Sequence, residues 1–175
     1  YFGDTGQQVE APPFLRALQQ EGLAYEEEVY QNKYPGALRI RGGKREQRLK
    51  DTYDAMCAGE PIILQGYVLT KEGVGVLDIL ERVGSDPTSK TKHAYHVGEI
   101  KSSSSLKTAH ILQVCWYAEL LKEAFTQDTK KGFVILGDYH FVPLDLTDYK
   151  KDYVQARQSL FNIRDGKVVP EPHLT

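Results

Sequence analysis

The sequence predicts an α/β fold in which a mixed β-sheet is flanked by helices. Two apolar segments, 61–69 and 74–83, surround a turn at 71–73, a pattern typical of an antiparallel β-hairpin. A strand that ends near Glu99 is followed by a long helical pattern and by another strand that ends at Leu136. Such a strand–helix–strand crossover returns the chain in the same direction, so its two strands pair in parallel. A hairpin and a crossover together require a mixed sheet.

Four helices are predicted from apolar spacing and from signals at their ends. The predicted helices cover 12–32, 44–58, 106–125 and the segment from Thr147 to about 163. Pro12 and Pro13 suit the first turn of the first helix, which could divide in two at Gly22. Gly59 is expected to stop the second helix, because glycine readily takes the left-handed conformation that ends a helix.

The strands are predicted where apolar, β-branched and aromatic residues form short runs between turns. They cover 37–40, 61–69, 74–83, 93–101, 132–136 and 139–144. The length fits one domain over residues 1–175, and no internal repeat divides it. Because the chain starts at Tyr1, a fragment of a longer protein is an alternative.

The composition argues against several classes of protein. Hydrophobic residues make up 41% and charged residues 26%, as in ordinary soluble folds, and no apolar run has the length of a membrane span. The formal net charge of −2 gives no overall attraction to nucleic acid, although local basic clusters could contact phosphates. Cys57 and Cys115 are too few for a disulfide framework, and both are predicted to be core residues. A cytoplasmic location without membrane contact is expected.

Asp78, Glu99 and Lys101 carry the chemistry that the sequence suggests. Glu99 and Lys101 are two residues apart in a predicted strand, so they share one face while Ile100 points to the other. If the strand of Asp78 is a neighbour, its carboxylate converges with that of Glu99, and the two repel unless a cation joins them. Mg²⁺ or Mn²⁺ suits such oxygen ligands, and the backbone carbonyl of Ile100 could add another. Lys101 would then stabilise charge on a phosphoryl oxygen or position an attacking water.

The order of three motifs resembles the RecB-like nuclease branch of the PD-(D/E)xK superfamily, which includes CRISPR-associated RecB-like exonucleases and nuclease domains of helicase–nuclease complexes. The motifs are Gly75-Val76-Leu77-Asp78, Glu99-Ile100-Lys101 and Gln113 with Tyr117. The resemblance spans roughly residues 12–170 and implies a restriction-endonuclease-like mixed sheet flanked by helices. It also implies that Asp78 and Glu99 bind metal and that Lys101 is catalytic. Gln113 and Tyr117, one helical turn apart, would contact the substrate or the active site.

The same resemblance places an acidic residue on the first helix, a few residues after a glycine. Gly22 precedes the acidic run Glu26-Glu27-Glu28, and Glu26 is the expected additional metal ligand. A histidine commonly precedes this acid in the branch, whereas Tyr25 stands there in this chain. The register among the three glutamates therefore stays open.

The implied activity is metal-dependent hydrolysis of phosphodiester bonds in DNA, with an exonuclease or end-processing role on single strands or DNA ends. Mg²⁺ or Mn²⁺ is the expected cofactor. Many relatives use cysteines to bind an iron–sulfur cluster, whereas the segment from Pro170 to Thr175 has none, so no such cluster is expected in this chain.

Three alternatives stay open. Glu99 and Lys101 could be an exposed ion pair at a strand end, which would contribute little. The nuclease fold could be kept in a nucleic-acid-binding module that has lost catalysis. The domain could also act as a subunit of a larger nuclease or helicase assembly.

Overall fold

The computed structural model describes residues 12–164, which form one six-stranded sheet with helices on both faces. The helices are α1 (Pro13–Lys33), α2 (Arg45–Ala58), α3 (Thr108–Phe125) and α4 (Lys150–Arg164), with a 3₁₀ turn at Gly137–Tyr139. The strands are β1 (Leu38–Arg39), β2 (Ile62–Leu69), β3 (Val74–Ser85), β4 (His93–Ile100), β5 (Lys131–Ile135) and β6 (Phe141–Asp145). Three expectations extend outside the described residues. They are the single domain over 1–175, the resemblance up to residue 170, and the segment Pro170–Thr175.

The predicted α/β class and mixed sheet are confirmed. The strand order is β1-β2-β3-β4-β5-β6. The pairs β2–β3, β3–β4 and β5–β6 are antiparallel, whereas β1–β2 and β4–β5 are parallel. The parallel pair β4–β5 is joined through α3, which is the crossover that the sequence predicted.

One alternative and one local prediction differ from the structure. α1 runs unbroken through Gly22, since a glycine inside a helix costs about 1 kcal/mol but keeps its backbone hydrogen bonds. Cys57 is exposed, because α2 buries only the side that carries Thr52, Ala55 and Met56. The predicted stop at Gly59 is confirmed by its left-handed backbone, with φ of 71°. No helix within residues 12–164 is long and apolar enough to cross a membrane.

The two faces of the sheet pack against different helices. α1 covers one face, where Val29 and Tyr30 pack against Ile79, Ile100 and Ile135. α2 and α3 cover the opposite face with a larger cluster. That cluster joins Met56, Val114, Tyr117, Leu120 and Leu121 to Leu77, Leu80, Val97 and Val134.

The alternation of side chains in β3 shifts by one residue at Asp78. Leu77 and Leu80 both pack on the face of α2 and α3, while Ile79 packs on the face of α1. A regular strand would place residues three apart on opposite faces. The irregular step therefore lies between Leu77 and Ile79.

A matching shift occurs in β2 at Gln65. Leu64 packs on the face of α1, whereas a Cβ on Gly66 would face Leu80 and Thr52 on the other side. Gln65 has a left-handed backbone with φ of 58°, which costs roughly 1 kcal/mol or more for a residue with a side chain. The pairing register continues on both sides of this point but skips Gln65 and Asp78. We call this interruption the phase shift of the sheet.

Gly98 permits a close approach between β4 and β5 beside the phase shift. A Cβ on Gly98 would lie 2.3 Å from the Cε2 and Cζ atoms of the buried Phe133 ring. Gly98→Ala is therefore expected to lower the free energy of unfolding by about 1–3 kcal/mol, measured by urea denaturation. Gly84→Ala in β3 is the matched control, because nothing lies within 4 Å of a Cβ there. Equal losses in the two variants would contradict this packing.

Candidate active site

Asp78 and Glu99 lie side by side at the phase shift. Asp78 belongs to β3 and Glu99 to β4, and the register that pairs Ile79 with Gly98 brings the two acids opposite each other. Their relative exposures are 8% and 2%. The sequence predicted that the two carboxylates converge if their strands are neighbours. β3 and β4 are neighbours, so this condition is confirmed.

Both carboxylates have a donor at one oxygen. The N–H of Ile100 donates to Asp78 Oδ2 at 2.8 Å. Lys101 Nζ lies 2.5 Å from Glu99 Oε1, so the two share a face as predicted, while the Ile100 side chain packs on the face of α1. No donor within residues 12–164 bonds the buried second oxygen, Glu99 Oε2. The adjacent Asp78 carboxyl could satisfy it only if one of the two acids were protonated.

Burial and mutual repulsion oppose the ionisation of both acids. Burial raises the pKa of Asp78 well above its usual range, and the negative charges of Glu99 and Glu26 raise it further. Burial also raises the pKa of Glu99, against the opposing effect of the Lys101 ammonium. Adjacent buried carboxylates are therefore unfavourable when both are ionised, unless further positive charge joins them.

Glu26 of α1 is turned toward these two acids. Its Oε1 accepts a hydrogen bond from Tyr30 OH at 2.7 Å and another from Gln65 Nε2. Its charge contributes to the raised pKa of Asp78, which places the three acids in one electrostatic neighbourhood.

The other two glutamates of the acidic run have partners elsewhere. Glu27 lies 2.5 Å from Arg39 Nη1, in an ion pair with β1. Glu28 accepts a hydrogen bond from Tyr139 OH. Of the three registers that the sequence left open, the structure therefore directs Glu26 to the site.

Gln113 and Tyr117 approach the acid pair from α3, on the opposite face of the sheet from α1. Gln113 Nε2 donates to Tyr117 OH at 2.7 Å, which confirms that the two residues face the same side. Burial raises the pKa of Tyr117, and the negative charges of Glu99 and Asp78 raise it further. The phenol is therefore neutral and remains available as a hydrogen-bond donor beside the acids.

Gly75, the first residue of its motif, allows α3 to approach the sheet. A Cβ at this position would lie 2.6 Å from Leu120 Cδ1 and 3.1 Å from the ring of Tyr117. The absence of a side chain at Gly75 thus lets the helix that carries Tyr117 pack closely on β3.

Sequence reasoning missed Tyr30 and Gln65. Tyr30 OH contacts both Glu26 and the backbone carbonyl of Asp78, at 3.2 Å from the latter. The signal for Tyr30 was present, since it follows Glu26 by four residues on one helix. Gln65 had no comparable signal, because nothing in its neighbours indicates a left-handed residue inside a strand.

His110 lies at the start of α3, near Lys101 and Lys107. It is buried in the first turn of α3, and its Nδ1 accepts a hydrogen bond from the N–H of Lys107 at 3.3 Å. Burial lowers the pKa of His110, and the positive charges of Lys101 and Lys107 lower it further. The residue therefore supports the start of α3 close to Lys101.

The oxygen groups around Asp78 and Glu99 fit a divalent cation. Two adjacent buried carboxylates, one with an oxygen that no described donor bonds, are the hard ligands that Mg²⁺ and Mn²⁺ prefer. Within residues 12–164, no three His, Cys, Asp or Glu side chains form a ready-made metal-ligand group. Glu26 is engaged by Tyr30 and Gln65, so its entry as a third ligand stays a prediction, as does the carbonyl of Ile100.

A comparison of the sequence with protein-family models found no match, and a comparison with curated proteins also found none.

Replacing Asp78 by Asn tests the electrostatics of the acid pair. Because the pKa of Asp78 is raised in the folded protein, its ionisation removes stability as pH rises through that pKa. In EDTA, Asp78→Asn is expected to be more stable than wild type at pH 8 by about 1 kcal/mol or more, with the difference vanishing toward pH 4. Urea denaturation across this range measures it, with the exposed Asp148→Asn as control. A difference that grows toward acid pH would contradict the raised pKa.

Proposed function

We propose that this protein is a metal-dependent nuclease of the RecB-like branch of the PD-(D/E)xK superfamily, which hydrolyses phosphodiester bonds in DNA. The observation that carries the proposal is the buried pair of Asp78 and Glu99 with the Lys101 ammonium 2.5 Å from Glu99. An exposed ion pair at a strand end would not explain this arrangement, because Glu99 is almost fully buried beside a second acid.

Asp78 and Glu99 would hold the cation, with Glu26 as the nearest further carboxylate. A bound Mg²⁺ or Mn²⁺ would supply Lewis-acid polarisation of the phosphoryl group and would lower the pKa of a coordinated water. The N–H of Ile100 fixes the Asp78 carboxylate from the strand backbone. The acid pair is thus held in place from both β3 and β4.

Lys101 is the residue proposed to act on the reacting phosphate. Its side chain is 30% exposed, whereas that of Glu99 is 2% exposed, so the ammonium lies at the border between the buried acids and solvent. There it stabilises negative charge on the phosphoryl oxygens as water adds to phosphorus and one phosphorus–oxygen ester bond breaks. Glu99 keeps the ammonium directed at the site through their contact.

Gln113 and Tyr117 are proposed to shape the pocket on the side of α3. Gln113 donates to Tyr117, so the phenol proton remains free to be donated to a substrate or acid oxygen. Lys107 immediately precedes α3, and its charge acts together with that of Lys101 on His110, so it offers a second positive charge for the phosphate backbone.

The proposed substrate class rests on the resemblance. We infer that DNA ends or single strands are bound, with an exonuclease or end-processing role, since this is the activity of the branch that the motifs resemble. Action inside a larger nuclease or helicase assembly and a cytoplasmic location belong to the same proposal.

Replacing Lys101 by Met tests the catalytic role. Cleavage of end-labelled single- and double-stranded DNA in Mg²⁺ or Mn²⁺ is expected to fall by about a hundredfold or more, because a charge that stabilises the transition state is lost. The exposed Lys151→Met in α4 is the control and should keep full activity. EDTA should abolish cleavage by the wild-type protein.

The same assay separates the proposal from its main alternative. DNA binding without cleavage by the folded wild-type protein, in either metal, would identify a non-catalytic binding module. Unchanged cleavage in Lys101→Met would refute the assigned role of the lysine.

The role of Glu26 is tested by comparing it with a neighbour on the same helix. Glu26→Gln keeps an oxygen for Tyr30 but removes the charge, so Mn²⁺ affinity measured by titration calorimetry should fall about tenfold. Glu28→Gln alters an acid that contacts Tyr139 instead and should leave the affinity unchanged. Equal losses in both variants would show a general electrostatic effect rather than a specific ligand.

A further inference from the structure

Gln65 combines an unusual backbone with contacts to the site. Five non-glycine residues within 12–164 have positive φ: Gln65, Lys92, Thr126, Asp138 and Tyr139. The other four lie in a turn, at the end of a helix or in the 3₁₀ turn, where such a conformation is common. Gln65 lies in the middle of a strand, where a regular backbone would be available. Strain of this kind persists when the surrounding structure requires it.

The contacts of Gln65 indicate what the strain achieves. Its Nε2 donates to Glu26 Oε1 and to Tyr30 OH, the latter at 2.9 Å. Tyr30 OH in turn donates to the same oxygen of Glu26 at 2.7 Å. One amide group of the sheet therefore reaches across to α1 and supports the carboxylate of Glu26 both directly and through the phenol.

The position of Gln65 in the sheet links this support to the acid pair. Leu64 is opposite Ile79 and Gly66 is opposite Leu77, so Gln65 and Asp78 occupy the skipped pair between them. The left-handed backbone of Gln65 shifts the alternation of β2 by one residue. The amide can then meet Glu26 from the strand that neighbours Asp78.

We infer that Gln65 is a positioning residue, whose strained backbone sets its amide to hold Glu26 beside Asp78 and Glu99 and thereby raises the affinity of the site for a divalent cation. The inference rests on the proposed function, because it assumes that the three acids share a cation. It adds a residue that acts through Glu26 and does not itself touch the substrate.

Two substitutions separate the amide from the strain. Gln65→Gly removes the amide and relieves the backbone, whereas Gln65→Met removes the amide and keeps a long side chain on the strained backbone. Both are expected to bind Mn²⁺ about tenfold more weakly in calorimetry without nucleic acid. Gln65→Gly should also show a higher urea midpoint than Gln65→Met.

Lys92→Gly is the matched control for strain relief. Lys92 has φ of 63° and an exposed side chain that bonds the carbonyl of Pro87, away from the acids. This variant should keep the Mn²⁺ affinity of the wild type. A loss of affinity there equal to that in Gln65→Gly would overturn the inference.

A double-mutant cycle tests whether Gln65 acts through Glu26. In the Glu26→Gln background, Gln65→Met should cause no further loss of Mn²⁺ affinity, because the carboxylate that it positions is gone. Fully additive losses would overturn the inference, and so would an absence of Mn²⁺ binding by the wild-type protein. Mn²⁺ binding with the expected coupling, but without DNA cleavage, would support the role of Gln65 while refuting the nuclease proposal.

Discussion

The burial of two adjacent carboxylates, Asp78 and Glu99, is the constraint on which the rest of the structure depends. Neither acid can be ionised in this place without compensation, since both are removed from water and their charges repel. The fold supplies part of the compensation through the N–H of Ile100 and the ammonium of Lys101. Within the described residues, the fold supplies no donor for Glu99 Oε2. A cation at this oxygen would compensate the remaining negative charge.

The phase shift of the sheet is the backbone irregularity that lets side chains from both faces reach Asp78 and Glu99. A regular ladder through Gln65 and Asp78 would hydrogen-bond the strands and separate the residues of α1 from those of α3. Because the pairing skips this point, Glu26 approaches from one face and Tyr117 from the other. The site therefore uses an interruption in the middle of the sheet, where polar backbone groups and side chains can meet inside a mostly apolar core.

Much of the fold could be predicted from the sequence because its local signals agree with its tertiary packing. Apolar periodicity located the long helices, and the hairpin and crossover predicted which strands pair in parallel. The sharing of one face by Glu99 and Lys101 followed from the two-residue period of a strand. The convergence of Asp78 with Glu99 needed the strand order, which the crossover and hairpin suggested but could not prove.

The rest could not be predicted because it depends on departures from regular geometry. The shift of alternation at Gln65 and Asp78 cannot be recognised in the pattern of apolar residues. Leu77, Ile79 and Leu80 are all apolar, so the sequence is compatible with a regular strand and with a shifted one. The choice of Glu26 over Glu27 and Glu28 depends on the docking angle of α1. That angle is set by tertiary contacts of Val29 and Tyr30 with the sheet.

The way in which α1 is attached has a consequence for dynamics. Within this 21-residue helix only Val29 and Tyr30 are buried, and the first two turns are exposed throughout. Detaching the helix therefore costs less free energy than unfolding the sheet, so it can open as a separate unit that native-state hydrogen exchange would detect. Because Glu26 lies on that unit, a cation bound as proposed by Glu26 and the acid pair would stabilise the closed helix, and closure of the helix would in turn raise the affinity for the cation.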